Sequence, residues 1–294
     1  MTPFDKSTVF ELSRDQFQRV KTLYASIPYD QPCYDSVFEG KQGARIFVDD
    51  PDAMTAALIC RSYEYFPAGA VNPALRQFIQ EAPEEAGVFA DFYGYVPANE
   101  DWKAALLADL PLEIIGRRNF QWQAGTPVPD WKAQLPADGK IVPVDRVLAE
   151  RLDRDYYPVP FVLYDWGSYD AYAAHGFGFA LLIGEAIAST VTATSVSDHH
   201  ALVTIATEPP FRKRGFAALI GARFVDACLE RGLLATWDTD DTNLGSIATA
   251  RRIGFAEFAP FAELARPNRQ KLDLSRGLWA AETRDDGVMV WRRL

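Results

Sequence analysis

The stretch that decides the fold runs Ala201-Leu-Val-Thr-Ile-Ala-Thr-Glu-Pro-Pro-Phe-Arg-Lys-Arg-Gly-Phe-Ala217. Its first seven residues, Ala201–Thr207, read as a strand. Glu208-Pro-Pro then ends it, because proline has no N–H for a ladder. From Phe211 to Arg231 the pattern is helical, with Ile220, Phe224 and Cys228 on one face and Gly232 as the stop. The first amides of such a helix have no carbonyl to bond, and the helix dipole adds partial positive charge there. Gly215 lets a ligand approach the backbone, and Ala217 keeps the first turn thin. Arg212, Lys213 and Arg214 add three cations to a chain whose net charge is −10. The segment therefore suits an anion, and a pyrophosphate better than a single carboxylate. A solvated basic loop before a helix is the competing reading of Arg-Lys-Arg-Gly alone. Gly-Lys-Ser/Thr is missing, so this is not a P-loop. His175-Gly-Phe-Gly178 does not open a helix after a strand, so it is no dinucleotide fingerprint.

Working outward, residues 177–183 and 186–196 read as strands that join 201–207 in an antiparallel meander. Downstream lie a strand over Leu233–Thr239, a helix over Asn243–Ile253 ended by Gly254, and a strand over Phe255–Leu264. The tail from Leu278 reads as a hairpin around Arg284–Gly287. Upstream come a strand near Ile141–Val144, a helix near Arg146–Leu152, and an aromatic-rich region from Tyr156 to Tyr172. Residues 123–140, with Pro127, Pro129 and Pro136, read as a linker. The N-terminal half gives a helix from about Arg14 to Ser26 and strands over Gly43–Val48 and Ala56–Phe66. A helix near Pro73–Gln80, a strand over Gly87–Val96, a helix capped by Asn99 and a strand over Leu112–Trp122 complete it. Both halves share this rough order, which points to an internal duplication. The expectation is an α/β chain with mixed sheets and domains over 1–122 and 141–294, joined by 123–140.

Composition narrows the partners. The chain has 294 residues, 48% hydrophobic and 24% charged, enough for a sizeable core without a disulfide scaffold. Its acidity disfavours nucleic acid and anionic membranes, which reward basic surfaces. The N-terminus has no apolar signal segment, and the longest apolar run, Phe177–Ile183, is too short to span a bilayer. Three separated cysteines, Cys33, Cys60 and Cys228, form neither a disulfide framework nor a thiolate metal site. The expectations are a reducing, cytoplasmic setting, no metal and a possible homodimer, the oligomeric state itself being left open.

A second segment, Asn243-Leu-Gly-Ser246 through Gly254-Phe255, follows one strand after the first. With it the chain resembles the GNAT superfamily of N-acetyltransferases. That family's Arg/Gln-x-x-Gly-x-Gly/Ala loop matches Arg212, Gly215 and Ala217, and its Asn-x-x-Ser/Ala…Gly-Phe helix matches Asn243, Ser246 and Gly254–Phe255. The whole chain, with Asp165-Trp-Gly-Ser168 and Gly176-Phe-Gly-Phe179, resembles the two-domain subgroup that includes zwittermicin-resistance-type acetyltransferases. The resemblance implies a GNAT fold in the C-terminal half, a degenerate GNAT-like N-terminal half, and acetyl-CoA as co-substrate. The cofactor would lie along Ile205, Ala206 and Thr207, its pyrophosphate on Arg212, Lys213, Arg214, Gly215, Phe216 and Ala217, with Asn243 and Ser246 beside it. Strands 201–207 and 233–239 would splay to admit the pantetheine arm. A backbone N–H near Ala206 or Thr207 would then polarise the thioester before a small-molecule primary amine attacks.

The resemblance leaves the proton carriers open. Glu208 lies where a base is often placed, but it also reads as an exposed acid before two prolines. The subgroup's usual Glu is replaced by Ala206. Asp238 is a second candidate base, alongside Asp240, with capping or solvated loop as the competing reading. The usual acid, a Tyr, is replaced by Ala250; Ser246 is expected to cap or pack rather than act as that acid. Cys228, mid-helix, is expected in the core, and His199 and His200 on the surface. In the N-terminal half the comparable junction is taken as Tyr95–Asp101, acidic and without the phosphate loop, so that half is expected not to bind CoA. Tyr63, Tyr65, Tyr93 and Tyr95 could wall an acceptor pocket or simply fill a core, with Phe66 and Phe92 on the opposite faces. Two alternative functions stay open, an acyl-CoA-binding module with little turnover and a protein or peptide N-acetyltransferase.

Overall fold

The computed structural model describes residues 8–29, 31–61, 64–81, 94–157, 160–265, 279–283 and 289–293. In chain order come β1 (Phe10–Glu11), α1 (Lys21–Tyr24), α2 (Gln31–Phe38), β2 (Arg45–Val48), β3 (Ala56–Arg61) and β4 (Glu64–Gly69). Then follow α3 (Pro73–Glu81), β5 (Gly94–Tyr95), α4 (Glu100–Asp109), β6 (Glu113–Gln121), β7 (Gly139–Pro143), α5 (Arg146–Asp155), α6 (Phe161–Trp166) and α7 (Tyr169–His175). The remainder is β8 (Gly178–Ile183), β9 (Ala186–Val196), β10 (His200–Thr207), α8 (Phe216–Glu230), β11 (Leu234–Asp240), α9 (Leu244–Ile253), β12 (Ala256–Ala265), β13 (Trp279–Thr283) and β14 (Met289–Arg293).

The chain forms two compact units: residues 1–28, 37–115 and 262–294, and residues 29–36 and 116–261. The first carries the strand order β1-β2-β3-β4-β5, with Leu264 and Ala265 of β12 paired to β5. β4 and β5 run parallel, joined through α3. The second carries the order β6-β11-β10-β9-β8-β7. Its β7–β10 are antiparallel neighbours, and β10 and β11 run parallel, connected through α8. Gly221 of α8 lets α9 approach, since a Cβ there would meet Ile253 Cδ1 at 2.5 Å. The core beneath stacks Phe177 on Phe224 and packs Trp237 and Trp122 edge-on against Phe255. No helix among the described residues is long and apolar enough to cross a membrane.

The units do not follow the expected boundaries. Residues 123–140 pack on the second unit: Val128, Trp131 and Leu135 lie against its core, and Trp131 Nε1 donates to Asp226. β6, expected with the N-terminal half, pairs antiparallel with β11 instead. Residues 29–36 also join the second unit, where Cys33 Sγ lies 3.4 Å from Ser195 Oγ. α2 escapes periodicity because only eight residues, including Pro32 in the first turn, form it. The single strand expected over 56–66 is a hairpin, Ile59 facing Phe66 and Cys60 facing Tyr65.

Tyr65 and Tyr95 are fully buried and stack with centroids 5.3 Å apart, and Phe66 is buried too, so these residues fill the first unit's core rather than line an open wall. Tyr63, Phe92 and Tyr93 lie outside the described residues, as does the turn of the β13–β14 hairpin.

Candidate functional site

The site is built where β10 and β11 part. They pair from His200↔Leu234 to Leu202↔Thr236 and no further. Beyond that point β10 stays on β9 to Thr207, while β11 stays on β6 to Asp240. The two strands thus open a gap at their C-terminal ends. The Glu208 N–H donates to Ala188 O at 3.0 Å, so Thr204, Ala206 and Glu208 turn their backbone groups to β9. Ile205 and Thr207 therefore turn theirs to the gap. The backbone donors that face it are those of Ile205 and Thr207, not Ala206. Thr194, the extra residue on β9, marks the register shift at Leu202/Val203.

After Glu208, Pro209–Phe211 form a 3₁₀ turn. Lys213 at φ +61° and Gly215 at φ +83° then reverse the chain into α8. Gly215 is the N-cap and has no side chain to offer, so the amides of Phe216, Ala217 and Ala218 stay open. Arg212 Nε donates to Thr207 O at 3.0 Å and ties the loop to the strand end. Arg214 departs from expectation. Its guanidinium lies 4.7 Å over the Phe216 ring, a cation–π contact, and is not itself part of the cleft lining.

A cleft of about 1030 Å³ joins the open amides to the gap. Ile205, Ala206, Thr207 and Glu208 line it from β10 and its end. Arg212, Lys213, Gly215, Phe216 and Ala217 line it from the loop and α8. Asn243 and Ser246 line it from α9. Asn243 Oδ1 accepts from Ser246 N at 3.1 Å, so that side chain caps its own helix. Ser246 Oγ accepts from Trp237 Nε1 at 3.0 Å.

Asp238 is not in the lining. Arg117 on β6 clamps it together with Asp240, so its carboxylate is committed to an ion pair. Cys228 is buried in α8, and burial pushes its thiol well up, which removes it as a nucleophile. No group of three or more His, Cys, Asp or Glu among the described residues could hold a metal.

Sequence reasoning missed Arg252, whose Nη atoms lie 3.8 Å from a Cβ built on Gly215. Gly245, Ala248, Thr249 and Arg252 all line the cleft, and their helical spacing was the available signal. It also missed Tyr156, Tyr157 and Phe161, which close the cleft from α5–α6. Tyr157 donates to Thr190 Oγ1 at 2.8 Å. Asp153 of α5, buried, accepts from the amides of Val162 and Leu163 and so caps the helix that presents Phe161. Burial outweighs those bonds and holds its carboxyl up at about 6.

Known proteins share this architecture. A curated relative, described as an uncharacterized N-acetyltransferase, YdfB of Bacillus subtilis, is 27% identical over 259 residues, 85% of this chain and 95% of its own. The crystal structure of a GCN5-related N-acetyltransferase-like protein from Streptococcus suis superposes with a TM-score of 0.67 at 20% identity, covering 85% of this chain and 98% of that one. A tandem GNAT protein from the clavulanic acid biosynthesis pathway superposes at 0.57 with 13% identity, covering 87% of this chain and 97% of that one. The model of the GNAT acetyltransferase family matches residues 21–262. The splayed parallel strands, the open helix start behind Arg212-x-x-Gly215 and this match lead to one statement: the chain is an acyltransferase of the GNAT acetyltransferase family.

Proposed function

We propose that the chain moves an acetyl group from acetyl-CoA to a primary amine of a small molecule, by direct attack. The observation that carries this reading is the continuity of one cleft between the open amides beside Gly215 and the gap between β10 and β11. The residues present suit the co-substrate. The amides of Phe216, Ala217 and Ala218, with Arg212, Lys213 and Arg252, offer donors and positive charge to a diphosphate. The outward backbone of Ile205 and Thr207 offers the pantetheine amides the pairing that β11 would otherwise take. An N–H of the same edge polarises the thioester carbonyl and supports the oxyanion as the amine attacks.

Glu208 is the base in this reading. It is the one carboxylate among the described cleft residues, and it sits at the end of the strand that holds the thioester. It takes the proton the amine loses, directly or through a water. Asp238, tied to Arg117, keeps the β11–β6 edge in place instead. Tyr156, Tyr157 and Phe161 make an aromatic wall beside Glu208, which suits a small cationic amine more than a peptide tail.

The competing reading, a binding module with little turnover, draws on Ala250, which is buried and carries no hydroxyl. A thiol-release assay with acetyl-CoA and a panel of primary amines separates the two. Turnover is expected on at least one amine, and Glu208→Gln is expected to lower kcat by about 10²–10⁴-fold with CoA affinity kept. Tight acetyl-CoA binding without turnover on any amine would favour the module.

A further inference from the structure

We infer that Ser246 supplies the hydrogen bond that receives the departing CoA thiolate, the task a Tyr at position 250 would perform. The inference rests on the acetyl-CoA reading above. Ala250 is fully buried and has only a methyl group. Ser246 lies one turn earlier on the same face of α9 and does line the cleft.

The decisive feature is where the Ser246 proton goes. Trp237 Nε1 donates to Ser246 Oγ, and an indole N–H cannot accept. The hydroxyl proton must therefore point away from Trp237. A Ser or Thr inside a helix can spend that proton on the carbonyl four residues back, but Ser246 stands in the first turn of α9, where Thr242 lies before the helix. Thr249, one turn further in, does spend its proton this way, donating to Gly245 O at 2.8 Å. Among the described residues no acceptor takes the proton of Ser246.

The other cleft hydroxyls on the β10 side are spent. Tyr157 donates to Thr190, and Thr207 Oγ1 is bonded to Ser189 Oγ. Tyr156 also lines the cleft; its hydroxyl accepts from Arg151 at 3.3 Å and keeps its own proton, so it is the rival donor, placed just past α5 rather than on β10, β11 or α9.

Trp237 sets the position. It is the first β11 residue beyond the last β10 pair, at the inner end of the gap. Its ring and Ile205 Cδ1 converge on Gly221, 3.6 and 3.7 Å from a Cβ built there. The indole thus fixes Ser246 in the same cleft lining to which Ile205 and Trp237 belong.

In the step itself the amine nitrogen bonds to the carbonyl carbon and gives its proton to Glu208. The C–S bond breaks, and its electron pair goes to sulfur. Ser246 keeps its proton and shares it with the thiolate, a far weaker base than a serine alkoxide. CoA then leaves and is protonated by solvent.

The test reads the bound thiol directly. Free CoA is titrated in complex with wild type, Ser246→Ala, Ser246→Thr and Tyr156→Phe, following the thiolate's ultraviolet absorbance. Wild type and Ser246→Thr are expected to hold the bound thiol at a lower pKa than Ser246→Ala, by about one to two pH units. The kcat of Ser246→Ala is expected to fall about 10- to 100-fold, with acetyl-CoA affinity unchanged and activity restored in Ser246→Thr. A bound thiol that titrates identically in wild type and Ser246→Ala would overturn the inference, as would a shift in Tyr156→Phe alone. Failure of wild type to bind CoA at all would instead overturn the function on which the inference rests.

Discussion

The two units repeat one motif, strand–helix–parallel strand–helix, with opposite outcomes. In the first it is β4-α3-β5-α4, in the second β10-α8-β11-α9. β4 and β5 stay joined to their ends: Val96 N donates to Tyr65 O at 2.8 Å and Ala98 N to Pro67 O at 3.0 Å. β10 and β11 separate after Leu202↔Thr236. The helix starts differ in the same sense. Asn72 Oδ1 takes the amides of Ala74 and Leu75, and Pro73 has no N–H to give. Gly215 leaves the equivalent amides of α8 free. One arrangement of backbone becomes filler when its donors are satisfied internally, and a ligand cradle when they are not.

Copying the first unit's cap into the second is the most severe way to break this contrast. Gly215→Asp places a carboxylate at a left-handed position that Asp tolerates, where it can take the amides and repel a phosphate. Acetyl-CoA affinity by calorimetry is expected to fall about 10²–10³-fold, the loss of roughly two charge-assisted bonds, with the circular dichroism spectrum unchanged. Unchanged affinity would show that these amides do not hold the diphosphate.

The next effect concerns the cations. The first unit's Arg76 is tied to Asp109, whereas Arg252 faces the Gly215 turn from α9. Arg252→Ala is expected to weaken acetyl-CoA binding about fivefold at low salt, and less as salt screens the contact.

Capping chemistry gives two smaller tests, both of stability. The first unit caps α3 and α4 with neutral asparagines, while a buried carboxylate, Asp153, caps α6 in the second. Its folded pKa of about 6 lies above the ordinary carboxylate value near 4. The folded state therefore binds the proton more tightly than the unfolded one. Any stability Asp153 contributes is complete below about pH 4 and is lost as pH rises through 6. Compared with Asp153→Asn, wild type is expected to lose about 1–3 kcal/mol between pH 4 and 6.5 in urea titrations, then stay level. Asn72→Ala is expected to cost about 1 kcal/mol at every pH in the same titrations, without altering CoA stoichiometry. A second CoA bound in that variant would show that the cap alone had closed the first unit's motif.

Much of the site was legible because it is local. Strand, prolines, basic loop and glycine are consecutive in sequence, and the open amides follow from Gly215 at the N-cap. The remainder depends on distant pairing. Nothing in 113–121 announces that β6 would flank β11 and bring Arg117 onto Asp238. Arg214 was legible as a cation, but its stacking on Phe216 was not. The sequence points to Tyr95–Asp101 as the first unit's counterpart to the α8 start, whereas the topology puts it at Asn72–Pro73, after β4. Tyr65 and Tyr95 share the alternation expected of a pocket wall, yet alternation names two faces without saying which one a helix covers.

The most direct measurement is a crystal structure of the chain with acetyl-CoA. Diphosphate oxygens are expected within hydrogen-bond distance of the amides of Phe216 and Ala217, and the thioester carbonyl on an N–H of Ile205 or Thr207. Phosphates seated elsewhere, with the gap between β10 and β11 empty, would contradict that expectation.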